Sequence, residues 1–406
     1  MLLIASFLAT TFLYSLVSRR LETTPLTGPM LFMLAGIATS LLPSALREVA
    51  LDRSQLMLVA ELGLVMTLFS DASRVPLAEL SSHRGLPIRL LGPGMLLTLL
   101  LGMVVARLVL GGIDWWEAGI LAAVLAPTDA GLGQAIVSSP RVPAPIREAL
   151  NVEAGLNDGL SVPFLLFFIA IAAATETQSG IGSLARFLVE QLGYGALIGL
   201  LIGLIGGGLI GSAIRRDWMA EPMVQLAVVA LPLAGVVASE AAGASMFIAA
   251  FVAGLATQRG FPEVGRHSVA FAEDWGQLFN LFVFFLFGLV LPEVWSDFTA
   301  PILLYAVLSL TLIRMLPVAI ALRGTGLSRA SVLFMGWFGP RGLASIVLGL
   351  VYLESEVDLP GTETLRLTVI ATVMLSILCH GATALPGIAR YGKAIAALPP
   401  GAPERG

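Results

Sequence analysis

Long apolar runs, broken at short intervals by small clusters of charge, set the pattern of this chain. A helix needs about 20 apolar residues to cross a bilayer. Such windows recur thirteen times, at approximately 2–17, 27–43, 55–71, 86–111, 115–138, 146–174, 182–213, 222–239, 241–257, 272–291, 300–322, 328–352 and 363–389. They are too long and too continuous for the alternating strands of a barrel. The pattern therefore predicts an all-α polytopic membrane protein of about thirteen transmembrane helices. The eighth and ninth spans are the least separated, with only Ser239-Glu240-Ala-Ala-Gly243 between them.

Composition sharpens this picture. The 406 residues are 57% hydrophobic and 12% charged, where a soluble domain carries about a quarter charged residues. Net charge of −4 adds little and suggests no nucleic-acid partner. Cys379 is the single cysteine, so a disulfide framework is excluded. The run Met1–Val17 has neither a basic leader nor an Ala-x-Ala site and reads as a first span rather than a cleaved signal.

Basic residues give the orientation. With the N-terminus outside, 16 of the 23 Lys and Arg fall on cytoplasmic segments and five (Arg47, Arg53, Arg107, Arg186, Arg366) on outer ones. Arg314 and Arg341 lie inside spans. This positive-inside bias predicts an outer N-terminus and a cytoplasmic C-terminus. The Arg-rich, nearly Lys-free composition suits a bacterial inner (plasma) membrane.

Two spans carry helix breakers at matching places, Ala126-Pro-Thr-Asp129 in the fifth and Gly339-Pro-Arg-Gly342 in the twelfth. Each Pro lies twelve residues from its span's start, and the spans are seven apart, an odd offset that inverts orientation. Two inverted six-helix repeats are expected, residues 1–175 (spans 1–6) and 222–390 (spans 8–13). Span 7, residues 182–213, links them, and 391–406 forms a short cytoplasmic tail. Span 7 carries Gly195, Gly199, Gly203, Gly207 and Gly211, a smooth ridge suited to close helix packing.

The candidate chemistry lies in the buried charges, which are costly in a membrane and rarely idle. Pro127 removes a backbone donor and should unwind the fifth span near Thr128. Unwinding frees carbonyls, Thr128 adds a hydroxyl, and Asp129, counted with it among the ion- or proton-binding candidates, can balance a half-helix N-terminus. In the sixth span Glu153 and Asn157 are four residues apart and share a face. Asp158 follows, between Gly155 and Gly159, and is the natural carrier of either a proton or a cation. Asn157 suits orienting a crossing helix. Arg341 needs an anionic partner or free helix carbonyls; Glu153 is the first candidate and Asp129 the second. For Arg314, Glu61, Glu117 and Glu240 all stay open. Asp71 could supply a second carboxylate, or Ser70 a hydroxyl, and His380 reads as a satisfied core histidine.

These residues resemble the monovalent cation/proton antiporter family, in its NhaP-like sodium/proton branch. The matching pieces are Ala126-Pro-Thr-Asp129, Glu153 through Asn157-Asp158, Phe282-Val-Phe-Phe-Leu-Phe-Gly288 and Gly336-Trp-Phe-Gly-Pro-Arg-Gly342. The resemblance implies a homodimer with crossed, unwound spans 5 and 12. It implies a mobile core from spans 4–6 and 11–13, the rest mainly a dimerisation domain. It places Asp158, Thr128 and Asp71 on ion-site positions for transported Na+, and Asn157, Glu153 and Arg341 on a supporting polar network. Exchange is implied to be electroneutral, because the pair is Asn-Asp. Two departures bear on ion preference: Ala154 stands where relatives often have Ser, and Asp71 where they can have Glu.

The expected function is therefore exchange of Na+, or of K+ or Li+, for H+ by alternating access, with Asp158 as shared carrier. A coupled solute symporter or channel on the same scaffold is the alternative. No enzyme motif is present: His-Glu-x-x-His is absent, and Ser161 has no nearby His to activate it. No resident cofactor is expected, only the transported cation and proton.

Overall fold

The computed structural model describes residues 2–21, 23–42, 53–75, 85–176, 181–262, 264, 270–355, 357, 359–399 and 401–405. Arg47, Arg84 and Arg266 of the orientation count lie outside them. Among the described residues every regular element is helical. We label them α1 (Leu2–Leu21), α2 (Gly28–Ser40), α3 (Arg53–Arg74) and α4 (Leu86–Val109). Then come α5a (Trp115–Val124), α5b (Ala130–Val137), α6 (Ala144–Glu176) and α7, which runs from Ile181 to Arg215. The rest are α8 (Glu221–Ala242), α9 (Met246–Gly260), α10 (Ala270–Val294), α11 (Ala300–Ala321), α12a (Arg329–Trp337), α12b (Leu343–Glu354) and α13 (Thr362–Ala396). Eight of these segments are long and apolar enough to cross a membrane, and α2, α5a and α12b are shorter apolar helices.

Local signals in the sequence explain several boundaries. Asp114 and Glu117 form a reciprocal capping box at the start of α5a. Thr27, Ser245 and Ser328 cap α2, α9 and α12a through their side chains. The closely spaced eighth and ninth spans are separate helices because Gly243 takes a left-handed conformation (φ 62°) directly after α8. Helix α13 continues past the expected end near 389 to Ala396. Tyr391 and Ile395 are buried there, and Lys393 in the last turn suits the negative helix end.

Packing sorts the helices into two groups. Helices α1, α2, α3, α7, α8, α9 and α10 pack mainly on one another, and α4, α5, α6, α11, α12 and α13 form the second group. They meet where α3, α9 and the start of α7 touch α6, where α3 and α10 touch α12b, and where α2 touches α13. The glycine ridge of α7 lies on α9. A Cβ on Gly203 would come within 2.5 Å of Ala253 O, and one on Gly207 within 2.5 Å of Thr257 O. The expected close packing is therefore internal to the chain, backbone against backbone.

Candidate functional site at the crossing of two broken helices

Helix α5 stops at Val124 and restarts at Ala130, and α12 stops at Trp337 and restarts at Leu343. The two gaps touch each other: the Asp129 amide donates to Pro340 O at 2.7 Å. One carboxylate then serves two helix starts. Asp129 Oδ1 accepts from the Leu132 amide at 2.8 Å, and Oδ2 accepts from the Leu343 amide at 2.7 Å. Both α5b and α12b thus point their positive N-terminal ends at Asp129. Gly342 is required by this approach, because a Cβ there would overlap Asp129 Oδ2. The expectation that Asp129 balances a half-helix is met twice over by its geometry. Both its oxygens are engaged by backbone.

Arg341, fully buried, faces the opposite pole. Its Nη1 donates to Ala126 O at 2.6 Å and to Pro127 O at 2.8 Å, the carbonyls freed where α5a ends. A cation on a helix C-terminus and an anion on two N-termini balance the crossing without an ion pair between them.

This corrects the expected pairing of Glu153 with Arg341. Glu153 instead binds Arg314 in a two-pronged ion pair, Arg314 Nη1 to Oε1 at 2.5 Å and Nη2 to Oε2 at 2.8 Å. The reason is tertiary. Helix α11 bends at Thr311 (φ −111°, ψ −90°), and Arg314 follows within one turn. Its Nε lies where a Cβ on Gly339 would sit, so the α12 gap leaves room for the guanidinium beside α6. Glu117 is committed to the α5a capping box and to the Gly361 amide. Glu61 lines a separate cavity with Glu354, and Glu240 is exposed.

On α6, one turn after Glu153, Asn157 Nδ2 donates to Thr128 Oγ1 at 2.6 Å, tying α6 to the α5 gap. Asp158 is 6% exposed, and its Oδ1 has no hydrogen-bond partner; Asn157 Oδ1 has none either. Asp129, Asp71 and Arg341 are among the charges that act on Asp158. Asp71 arrives from α3 against Gly155, whose Cβ would stand 3.2 Å from Asp71 Cβ. The glycine that keeps α6 slim therefore admits a carboxylate from the other helix group. Ser70 beside it is buried, with an unpartnered Oγ.

A cavity of about 20 Å³ touches Thr128, Asp129, Asn151, Ala154 and Pro340, room for roughly one water. Ala154, the residue departing from the resembled pattern, lines it with a methyl in place of a hydroxyl. Sequence reasoning passed over two neighbours of this centre. Asn280 of α10 places Nδ2 3.2 Å from the Cβ position of Gly131, and its Oδ1 is unpartnered. Ser376 of α13 accepts the Arg341 amide at 2.6 Å. Neither stands near a breaker or another charge in sequence, so no local signal marks them.

The family model described as "Sodium/hydrogen exchanger, transmembrane" matches residues 5–387. An Escherichia coli protein named as an uncharacterized Na(+)/H(+) exchanger, YjcE, is 31% identical over 271 residues, 60% of this chain and 48% of that protein. The K(+)/H(+) antiporter NhaP2 of a Shewanella species is 26% identical over 354 residues, 86% of this chain and 59% of its own. The chain thus spans about half the length of the curated relatives it matches. The sodium proton antiporter MjNhaP1 of Methanocaldococcus jannaschii superposes with TM-score 0.74 at 20% identity. That match covers 97% of this chain and 99% of MjNhaP1, which establishes a shared fold.

Proposed function

The chain belongs to the sodium/hydrogen exchanger family, and from that premise we propose that it exchanges a monovalent cation for H+ across a bilayer. One observation carries the reading: Asp158 is buried with a free carboxylate oxygen beside the Thr128–Asn157 pair, at the crossing of two broken helices. A carboxylate in that setting can be neutralised by a proton or by a cation, and the two compete. Na+ is our first assignment, with K+ or Li+ as alternatives. The relatives named as Na+ and K+ exchangers span that choice.

Asp158 is the shared carrier in this mechanism. Thr128, bonded to the adjacent Asn157, would offer a hydroxyl, Asn157 its free oxygen, and Asp71 a second carboxylate from α3. Asp129 and Arg341 hold the gap open by balancing the half-helix ends. Glu153 and Arg314 pin α6 to α11. An uncompensated carboxylate is costly to move through a low-dielectric barrier, so only the loaded form crosses, which couples the two fluxes. Asn157 contributes no charge beside Asp158, in keeping with electroneutral exchange.

The helix group of α4, α5, α6, α11, α12 and α13 would be the moving core, and the other group the dimerisation domain of a homodimer. The N-terminus would lie outside and the C-terminus in the cytoplasm of a bacterial inner membrane. The test is cation-induced collapse of a preset pH gradient in proteoliposomes, Na+ against K+. Asp158→Asn is expected to abolish the response while preserving folding. Exchange retained in a folded Asp158→Asn protein would overturn the single-carrier mechanism.

A further inference from the structure

The α5 gap is satisfied by Arg341 and Asp129, but the α12 gap has a separate support on α13. Helix α12a ends at Trp337, which leaves carbonyls without intrahelical partners. His380 Nε2 stands 2.9 Å from Trp337 O. A carbonyl only accepts, so His380 holds Trp337 O through a proton on Nε2. Nδ1 lies 3.0 Å from Ser376 O and 3.1 Å from Ser376 Oγ, and that hydroxyl oxygen accepts the Arg341 amide at 2.6 Å. A connected clamp results: Arg341 N–H donates to Ser376 Oγ, Ser376 contacts His380 Nδ1, and His380 Nε2 meets Trp337 O. Its two ends hold the backbone on either side of Phe338-Gly-Pro340.

Two further contacts fix the same corner. The Trp337 ring packs on the His380 ring with centroids 4.9 Å apart. Trp337 Nε1 donates to Thr383 Oγ1 at 3.0 Å. Ser376, His380 and Thr383 are spaced i, i+4 and i+7, one face of α13. Ser376 and His380 are buried to 0% and 1% exposure. The sequence marks His380 only as a core histidine, and the cation mechanism makes no use of it.

We propose that Ser376 and His380 are positioning residues for the cation site. By clamping Trp337 O and Arg341 N they set where the Arg341 guanidinium meets Ala126 O and Pro127 O, and so where Thr128 stands. This rests on the reading of the crossing as the cation site. Neither side chain touches the cation; each acts through the α12 backbone. Gln at 380 can place an amide N–H on Trp337 O, whereas Leu at the same position cannot.

The experiment measures the cation dependence of exchange in proteoliposomes for wild type, His380→Leu, His380→Gln and Ser376→Ala. In parallel, Na+- or K+-dependent thermal stabilisation of the full chain is read in detergent, which needs no transport. Loss of a buried hydrogen bond that holds the site predicts an apparent KM raised about tenfold in His380→Leu and Ser376→Ala. The maximal rate should be largely kept, and the cation-dependent shift of Tm reduced. His380→Gln should restore KM to within about two-fold of wild type. A wild-type KM in His380→Leu, or equal defects in the Leu and Gln variants, would overturn the proposal. If His380→Leu does not fold, Ser376→Ala against His380→Gln decides by the same criteria. A wild-type protein without exchange would instead refute the transport reading. The cation-dependent Tm shift, and its loss in Ser376→Ala, would still judge the clamp.

Discussion

Replacing Glu153 by Leu strands the Arg314 guanidinium in a dry interior. Glu153 and Arg314 are 2% and 3% exposed, and the two bonds of 2.5 and 2.8 Å use both carboxylate oxygens. Removing one partner of such a pair costs about 3–5 kcal/mol, because the other charge is left buried without compensation. That is a fifth or more of the roughly 5–15 kcal/mol that holds a typical fold together. Arg314→Met should cost a similar amount by exposing Glu153 to the same fate. The double variant Glu153→Leu/Arg314→Met should recover most of the loss, since apolar groups of similar volume replace a buried pair at little net cost. The assay is equilibrium unfolding of the four proteins in mixed micelles, read as a thermodynamic cycle. A coupling energy of about 3 kcal/mol or more is expected, far outside the ~0.5 kcal/mol additivity of independent sites. Gly339→Ala should show part of the same defect, because its Cβ would overlap Arg314 Nε. Additive single effects would refute the reasoning and separate Glu153 from Arg314 energetically.

Three other outcomes are expected. Asp129→Ala removes the caps of α5b and α12b together, a loss of about 2–4 kcal/mol in the same unfolding assay; Asp129→Asn, which keeps one acceptor oxygen, should lose about half of that. Gly207→Val drives a side chain into the Thr257 backbone across the α7–α9 seam and should destabilise by about 1–3 kcal/mol, whereas Gly208→Val, with open space at its Cβ, should be tolerated. The tail after α13 should release in acid. Burial opposes ionisation of the Glu404 carboxyl, but the Ser328 amide and the Ser331 hydroxyl outweigh it and hold it below the usual carboxylate range. A folded-state value below the unfolded one of about 4.3 makes this docking fully present above that pH and lost as pH falls through the lower value. Hydrogen exchange of the tail across this range checks it, and Glu404→Gln should abolish the dependence.

Much of the centre was legible because it announces itself locally. Pro127 and Pro340 cannot sit inside regular helices, Asp129 follows a break at capping distance, and Asn157 and Asp158 interrupt an apolar run. Each of these signals depends on a few neighbouring residues. The partner of Arg314 was not legible in this way. In sequence Glu61, Glu117 and Glu240 stood open for Arg314 while Glu153 was assigned to Arg341, and the choice of Glu153 was made by the bend at Thr311 and the room left by Gly339. Asn280 and Ser376 were missed for the same reason, being uncharged residues with no helix breaker beside them.

The division follows from the range of the forces involved. Apolar run length, breaker position, capping chemistry and charge bias are properties of segments, so the sequence alone determined that the chain is helical, polytopic and twice broken. It also determined where carboxylates sit against an apolar background. Which helices touch is set by the simultaneous packing of all of them. Only the tertiary structure could therefore assign Glu153 to Arg314, Arg341 to the α5a carbonyls, the glycine ridge of α7 to α9, and His380 to the α12 gap. A buried charge must be satisfied, which sequence can demand. Who satisfies it is decided by which groups the fold brings within 3 Å.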